Sequence, residues 1–191
     1  MRWHVHGERS LYSSEWVELA LVDIEIPGGA RFDHHVVRFP RPAAGVILHD
    51  PTRGVLLLWR HRFITDTWGW EIPGGNVEQE ETAQEGALRE AIEESGWAAG
   101  PLEHVCTFHP TNGVSDQTFH VFLARSATYV GEPTDPSESE RIEWVTVARL
   151  ADLIRTGEVR DGLSLAGLST ALALGMLEPS ASASMVTKMP L

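Results

Sequence analysis

Residues 75–97 read GNVEQEETAQEGALREAIEESGW, and the glutamates here decide how the chain folds. Thr82-Ala-Gln-Glu85 is a capping box: the threonine hydroxyl accepts from the amide of the third helical residue, and the glutamate returns the bond. A helix from Ala83 to Ser95 follows, and Gly96 stands where a left-handed glycine closes a helix. On that helix Glu90, Glu93 and Glu94 fall at i, i+3 and i+4, so they share one side. Ala87, Leu88, Ala91 and Ile92 supply the packing side. Like charges this close repel by about a few tenths of a kcal/mol per pair on an exposed helix. Arg89 offsets part of this and Glu85, four residues before it, is placed to pair with it, but no side-chain cation is expected at the centre of the cluster. A solvated acidic face is the ordinary explanation. The glycine pair Gly74–Gly75 and the two caps favour another: a hard divalent cation, Mg²⁺ or Mn²⁺, held by a few carboxylates and completed by substrate phosphates.

Composition narrows the function from outside. The 191 residues suit one domain with a small appendage. A formal net charge of -12 argues against a general nucleic-acid surface and against anionic membranes. A small anionic substrate remains compatible if a metal intervenes. Cys106 is the single cysteine, so no intrachain disulfide forms, a core role is expected for it, and a cytoplasmic setting is the default. The opening MRWHVHGERS has no apolar stretch of the signal-peptide kind. Residues 162–177 are uncharged but short for a membrane span, and read as a buried helix.

EWVELALVDIEIP alternates, with Val17, Leu19 and Leu21 on one face; PGGAR supplies a turn, and FDHHVVRF a second extended run. Together they predict an antiparallel hairpin. PRPAAG then marks a boundary, dividing the chain into a hairpin and dimerisation region (1–41), a main domain (42–177) and a disordered tail (178–191). In the main domain AGVILHD and GVLLLWRHR read as strands joined by DPTRG. LEHVCTFH, DQTFHVFLA and RIEWVTV read as further strands, and VARLADLIRTG and LSLAGLSTALALGM as closing helices. The expected architecture is α/β: an α/β/α sandwich around a mixed sheet, preceded by the N-terminal antiparallel β-hairpin.

The spacing Gly75-x5-Glu81-x7-Arg89-Glu90-Ala91-x-Glu93-Glu94-x-Gly96-Trp97 matches every fixed position of the Nudix box, and over these 23 residues the chain resembles the Nudix hydrolases. The resemblance extends across 42–176. It implies hydrolysis of a nucleoside diphosphate linked to another moiety, by water attack on phosphorus. By that match Glu90, Glu93 and Glu94 are the metal ligands, with the carbonyl of Gly74 joining them in some relatives. Arg89 orients a box glutamate, and Glu81 supports the loop or the outer metal shell.

Outside the box the chain looks most like the ADP-ribose and nucleoside-diphosphate-sugar pyrophosphatases. Its N-terminal hairpin resembles a segment exchanged across a homodimer in that branch. Arg62 matches a phosphate-holding arginine, with Arg60 on the same strand face; Trp70 and Glu71, just before the box, join them as candidate substrate contacts. HPTNGVSDQ resembles the branch's catalytic loop with two departures. Pro110 stands closer to the box than the proline typical of ADP-ribose enzymes, and Gln117 replaces a frequent glutamate. An amide cannot take a proton usefully, so the base is either Asp116, shifted by one residue, or Glu93 or Glu94. A triphosphate-cleaning hydrolase and a catalytically weak nucleotide sensor are the alternatives. The adjacent His34 and His35 point to opposite faces, and Trp68 and Trp70 suit base stacking or core packing.

Overall fold

The N-terminal region is a three-stranded antiparallel sheet, β1 (His4–Ser13), β2 (Glu18–Glu25) and β3 (Arg31–Arg38), in that order. β2 and β3 are the expected hairpin; β1 is an addition to it. Every β1 side chain is exposed, and its register against β2 slips between Val5 and Gly7 and between Ser10 and Tyr12. Both features erase the period-two apolar signal by which a strand is read. The more buried face of β2 carries Ala20, Val22 and Ile24 rather than Val17, Leu19 and Leu21. The computed structural model describes residues 1–134 and 139–177, so the tail expected to be disordered lies outside the described residues.

The remaining elements are β4 (Ala43–Asp50), β5 (Gly54–Arg62), β6 (Thr67–Glu71), β7 (Gly74–Asn76), α1 (Ala83–Ser95), β8 (Trp97–Ala99), β9 (Leu102–Phe108), β10 (Phe119–Ala124), β11 (Ala127–Tyr129), β12 (Arg141–Val145), α2 (Val147–Arg155) and α3 (Gly162–Ala173). Seven strands form one sheet in the order β12-β5-β4-β10-β9, with β6 added to β5 and β7 to β4. β10 runs parallel to β4 and the other pairs are antiparallel, so the sheet is mixed. β8 and β11 pair separately.

Strand alternation divides the core in two. Ala44, Val46 and Leu48 of β4, with Leu56 and Leu58 of β5, pack against Ala87 and Ala91 of α1. Ile47, Val55 and Leu57 face the other way, onto Leu150, Leu153, Leu163 and Leu168 of α2 and α3. That is the α/β/α sandwich. The same parity fixes the site. Arg60 and Arg62 continue the α1 side of β5, and Glu71 takes that side of β6 because its neighbour Trp70 enters the opposite core.

The N-terminal sheet docks through β3. Val37 donates to the Val114 carbonyl (2.8 Å) and accepts from the Asp116 amide (3.3 Å), forming a parallel bridge with Ser115. The loop between β9 and β10 is thereby fixed by a segment far away in sequence.

Candidate active site

α1 begins and ends as its sequence dictates. Thr82 accepts from the Glu85 amide, and the Glu85 carboxylate returns to the Thr82 amide at 2.8 Å. Gly96 adopts φ 72°, and a Cβ there would collide with the Gly131 carbonyl, so both backbone and space require glycine. The helix is turned slightly from the expected orientation: Ala87, Ala91, Glu94 and Ser95 are buried, whereas Ile92 is exposed. Glu94 therefore lies under the helix, toward the sheet, instead of sharing an open face with Glu90 and Glu93.

Arg89 occupies the centre of the acidic cluster, where no side-chain cation is expected from the sequence. Its Nη1 donates to Glu90 (2.9 Å) and Glu93 (2.7 Å), its Nε to Glu81 (2.9 Å), and its Nη2 to the Asn76 carbonyl (2.9 Å) and Glu81 (3.2 Å). Glu85, spent on its cap, does not pair with Arg89. One planar fork thus gathers three carboxylates. The three carboxylates hold the guanidinium above its ordinary pKa, with Glu81 the leading cause, and Arg89 in turn holds Glu81 below the usual glutamate value. Glu81 also accepts from the Glu78 amide at 3.0 Å. With both oxygens on Arg89, Glu81 anchors that arginine rather than standing ready as a ligand.

Glu94 has a different setting. One oxygen accepts from the Gly74 amide (2.8 Å) and the other pairs with Arg60 Nη1 (2.8 Å). Arg60, at 4 % exposure, is a buried partner of the box and is not a surface phosphate clamp. Arg62 is half-exposed and bidentate to Glu71, through Nε (3.0 Å) and Nη2 (2.6 Å). Glu71 raises the Arg62 pKa, with a lesser contribution from Asp161. Glu71 is itself 3 % exposed.

Glu90, Glu94, Gly74, Gly75, Arg62 and Glu71 line one cleft of about 680 Å³, with Arg60 and Arg89 in its wall. Trp16, Arg41 and Asp161 also line it, and sequence reasoning did not place them there. Trp16 lies in the β1–β2 turn and Arg41 in the linker, remote in sequence from the box. Asp161 carried a legible signal, an Asp-x-x-Ser start to α3, confirmed by its bonds to the Ser164 amide and hydroxyl (both 2.8 Å).

Two expected residues are placed elsewhere. Trp70, at 2 % exposure, packs on Trp59 in the α2–α3 core (5.1 Å between ring centroids), out of reach of any substrate. Asp116 turns away from the cleft. Its carboxylate accepts from the Phe39 amide (2.9 Å) and Arg38 (3.4 Å), and lines a separate hollow beside Trp3, Val22 and Val36. Gln117 lines the cleft instead. Asp116 is thus a tether between loop and N-terminal sheet; a base must reach the water it deprotonates. Cys106 packs beside the core, where burial pushes its thiol pKa up, as befits an inert cysteine.

Among the described residues no three acidic, histidine or cysteine side chains already converge on one point; Glu90 and Glu93 converge on the Arg89 guanidinium. These are hard oxygen donors, about one turn apart on one rigid helix. Gly75 leaves open the space beside the Glu90 carboxylate that a Cβ would fill. The residues fit a small divalent cation taking oxygen ligands.

The NUDIX domain family matches residues 39–165. The chain is 38% identical over 175 residues to CMP-5'-(N-acetyl-N-hydroxy-3-aminopropyl)phosphonate hydrolase of Streptomyces rubellomurinus, covering 92% of this chain and 84% of that one. It is 28% identical over 155 residues to ADP-ribose pyrophosphatase of Bacillus subtilis, covering 81% and 83%. A crystal structure of an ADP compounds hydrolase superposes with a TM-score of 0.77 at 17% identity, over 91% of this chain and 94% of that one, a likeness of fold.

Proposed function

The chain belongs to the Nudix family of hydrolases, and on that premise we propose that it uses Mg²⁺ or Mn²⁺ to hydrolyse the anhydride bond joining a nucleoside monophosphate to a second phosphoryl or phosphonyl group. The observation that carries this reading is the shared cleft: box glutamates Glu90 and Glu94 line it together with the half-exposed Arg62. The named substrates of the two curated relatives, a CMP-linked phosphonate and ADP-ribose, have in common a nucleotide joined through phosphorus to another group.

Glu90, Glu93 and Glu94 would hold the cation, with Gly74 beside them. When bound, such an ion neutralises charge on the phosphoryl oxygens and lowers the pKa of a water. The chain's own residues do the rest. Arg62 holds the distal phosphoryl or phosphonyl group, and Arg41 and Trp16 receive the nucleotide at the mouth. Glu93 takes the proton of the attacking water. Asp116 faces away, Gln117 has no useful pKa, and Glu94 is saturated by an amide and a guanidinium, whereas Glu93, half-exposed and just outside the cleft lining, shares Arg89 Nη1 with the cleft residue Glu90 and so stands at the cleft's edge. Water oxygen bonds to one phosphorus, the bridging P–O bond breaks, and two phosph(on)ate products leave.

The N-terminal sheet forms the homodimer interface in this reading. β1 is exposed along its length, and Trp3, Val5, Leu11, Tyr12 and Phe32 stand open on that sheet. A monomer by light scattering would remove that part of the proposal.

The test is a substrate panel with Mg²⁺ or Mn²⁺: ADP-ribose, nucleotide sugars, a CMP-linked phosphonate, NADH, dinucleoside polyphosphates and nucleoside triphosphates. Release of nucleoside monophosphate from the diphosphate derivatives supports the reading. Turnover of triphosphates alone would replace it with the triphosphate-cleaning one.

A further inference from the structure

Behind the cleft, charges alternate in a chain, Arg62–Glu71–Arg60–Glu94, whose two ends differ in exposure. The Arg62 side chain is 52% exposed, whereas those of Arg60, Glu71 and Glu94 are 5%, 4% and 5%. Glu71 gives both oxygens to Arg62, and its Oε2 also stands 3.8 Å from Arg60 Nε. Arg60 in turn holds Glu94 at 2.8 Å. One anion is therefore shared between two guanidinium groups, and one guanidinium between two carboxylates. In so dry a setting Coulomb forces are little screened, and a buried carboxylate that loses one partner must lean on another.

We propose that Glu71 is a positioning residue that couples phosphate binding at Arg62 to cation binding at Glu94. The inference rests on the proposed function, which puts a phosphate at Arg62 and a cation at the box. When a phosphate engages Arg62, its grip on Glu71 loosens. Glu71, still buried, draws on Arg60. Arg60 then gives less of its charge to Glu94, whose oxygen becomes available. The coupling runs equally in reverse, since a cation on Glu94 leaves Arg60 to Glu71 and so frees Arg62. Direct attraction between cation and phosphate acts in addition, but does not depend on Glu71.

The test is a double-mutant cycle read as Mn²⁺ affinity of the substrate-free protein by electron paramagnetic resonance, with circular dichroism to verify folding. Glu71→Gln removes the shared anion, so Arg60 gives more of its charge to Glu94 and Mn²⁺ binding weakens about tenfold. Arg62→Ala lets Glu71 draw Arg60 away, and tightens Mn²⁺ binding roughly threefold. In the Glu71→Gln background Arg62→Ala has no effect, because its route is gone. Additive effects would mean charges acting independently through space, and would overturn the coupling. A structural role for Glu71 would lower the folded fraction while leaving the Mn²⁺ affinity of folded molecules unchanged, which also overturns it. Absence of Mn²⁺ binding to the wild-type protein would instead remove the cation reading itself. Should Glu71→Gln not fold, the ¹⁵N signal of the Arg60 guanidinium is followed as AMP is added without metal. It should move in the wild type and stay still in Arg62→Ala; an unmoved signal in both overturns the coupling.

Discussion

Gly75→Ala places a methyl group against the carboxylate of Glu90. A Cβ built on Gly75 would stand 2.7 Å from Glu90 Cδ and 2.9 Å from Oε2. Carbon–carbon contacts settle at about 3.5–4.0 Å, so the carboxylate must retreat by roughly 1 Å. The obstacle is the mobile end of a side chain, and the Gly75 backbone is not among the left-handed glycines, so the fold accommodates the change. Stability is expected within about 1 kcal/mol of wild type, because the entropy gained by replacing glycine in a strand offsets part of the crowding. Activity is another matter. A displacement of about 1 Å in a positioned catalytic group costs on the order of 10²-fold, or about 2.7 kcal/mol in barrier. Gly74→Ala is the control: its Cβ would meet the Ala44 carbonyl (2.7 Å) and Gly45 Cα (2.8 Å), the backbone of β4, which cannot step aside. That variant should lose about 1–3 kcal/mol of stability. The assay is steady-state kinetics on the preferred substrate at saturating metal, beside thermal melts. Gly75→Ala with wild-type kcat and intact folding would refute the placement of Glu90 in the reaction.

Other substitutions separate scaffold from chemistry. Asp116→Asn keeps an acceptor for the Phe39 amide but loses the Arg38 pairing; kcat should stay within about threefold, and a loss of ~100-fold would restore Asp116 as base. Arg53 lies between Trp97 and Trp144, 4.4 and 4.5 Å from the ring centroids, so Arg53→Ala should destabilise by about 1–2 kcal/mol in urea titration without altering KM. Arg38 holds the Glu8 carboxyl below its usual pKa. A depressed folded value stabilises above the unfolded one and loses that contribution as pH falls through the depressed value. The melting temperature should therefore drop below about pH 4.5, and less steeply in Glu8→Gln. An identical acid profile in that variant would deny the pair any role in holding β1 to β3 within the N-terminal sheet.

Much of this was legible because it was local. The Thr82–Glu85 box and Gly96 mark both ends of α1, and alternation in β4 and β5 shows that both faces of the sheet are covered. Spacing also brought Glu90, Glu93 and Glu94 together, and resemblance attached a chemistry to them. What sequence could not show was direction across space. Whether Glu94 faces water or the sheet depends on a small rotation of α1, settled by Arg60 and the Gly74 amide. Arg89 reaches Glu81 rather than Glu85 because the loop brings Glu81 back against the helix. Asp116 and Gln117 are adjacent, and only the docking of Val37 on Ser115 decides which one enters the cleft. β1 is not legible in the sequence, because an exposed edge strand with two register slips carries no apolar rhythm.

In the proposed reaction, box residues and a divalent cation direct water onto phosphorus. The most direct test follows the preferred substrate by ³¹P NMR in oxygen-18-enriched water, with metal-stripped protein before and after Mg²⁺ is restored. No turnover is expected without the ion, recovery with it, and the heavy oxygen in one phosphoryl or phosphonyl product alone. Turnover by the stripped protein, or label on carbon in place of phosphorus, would contradict that reaction.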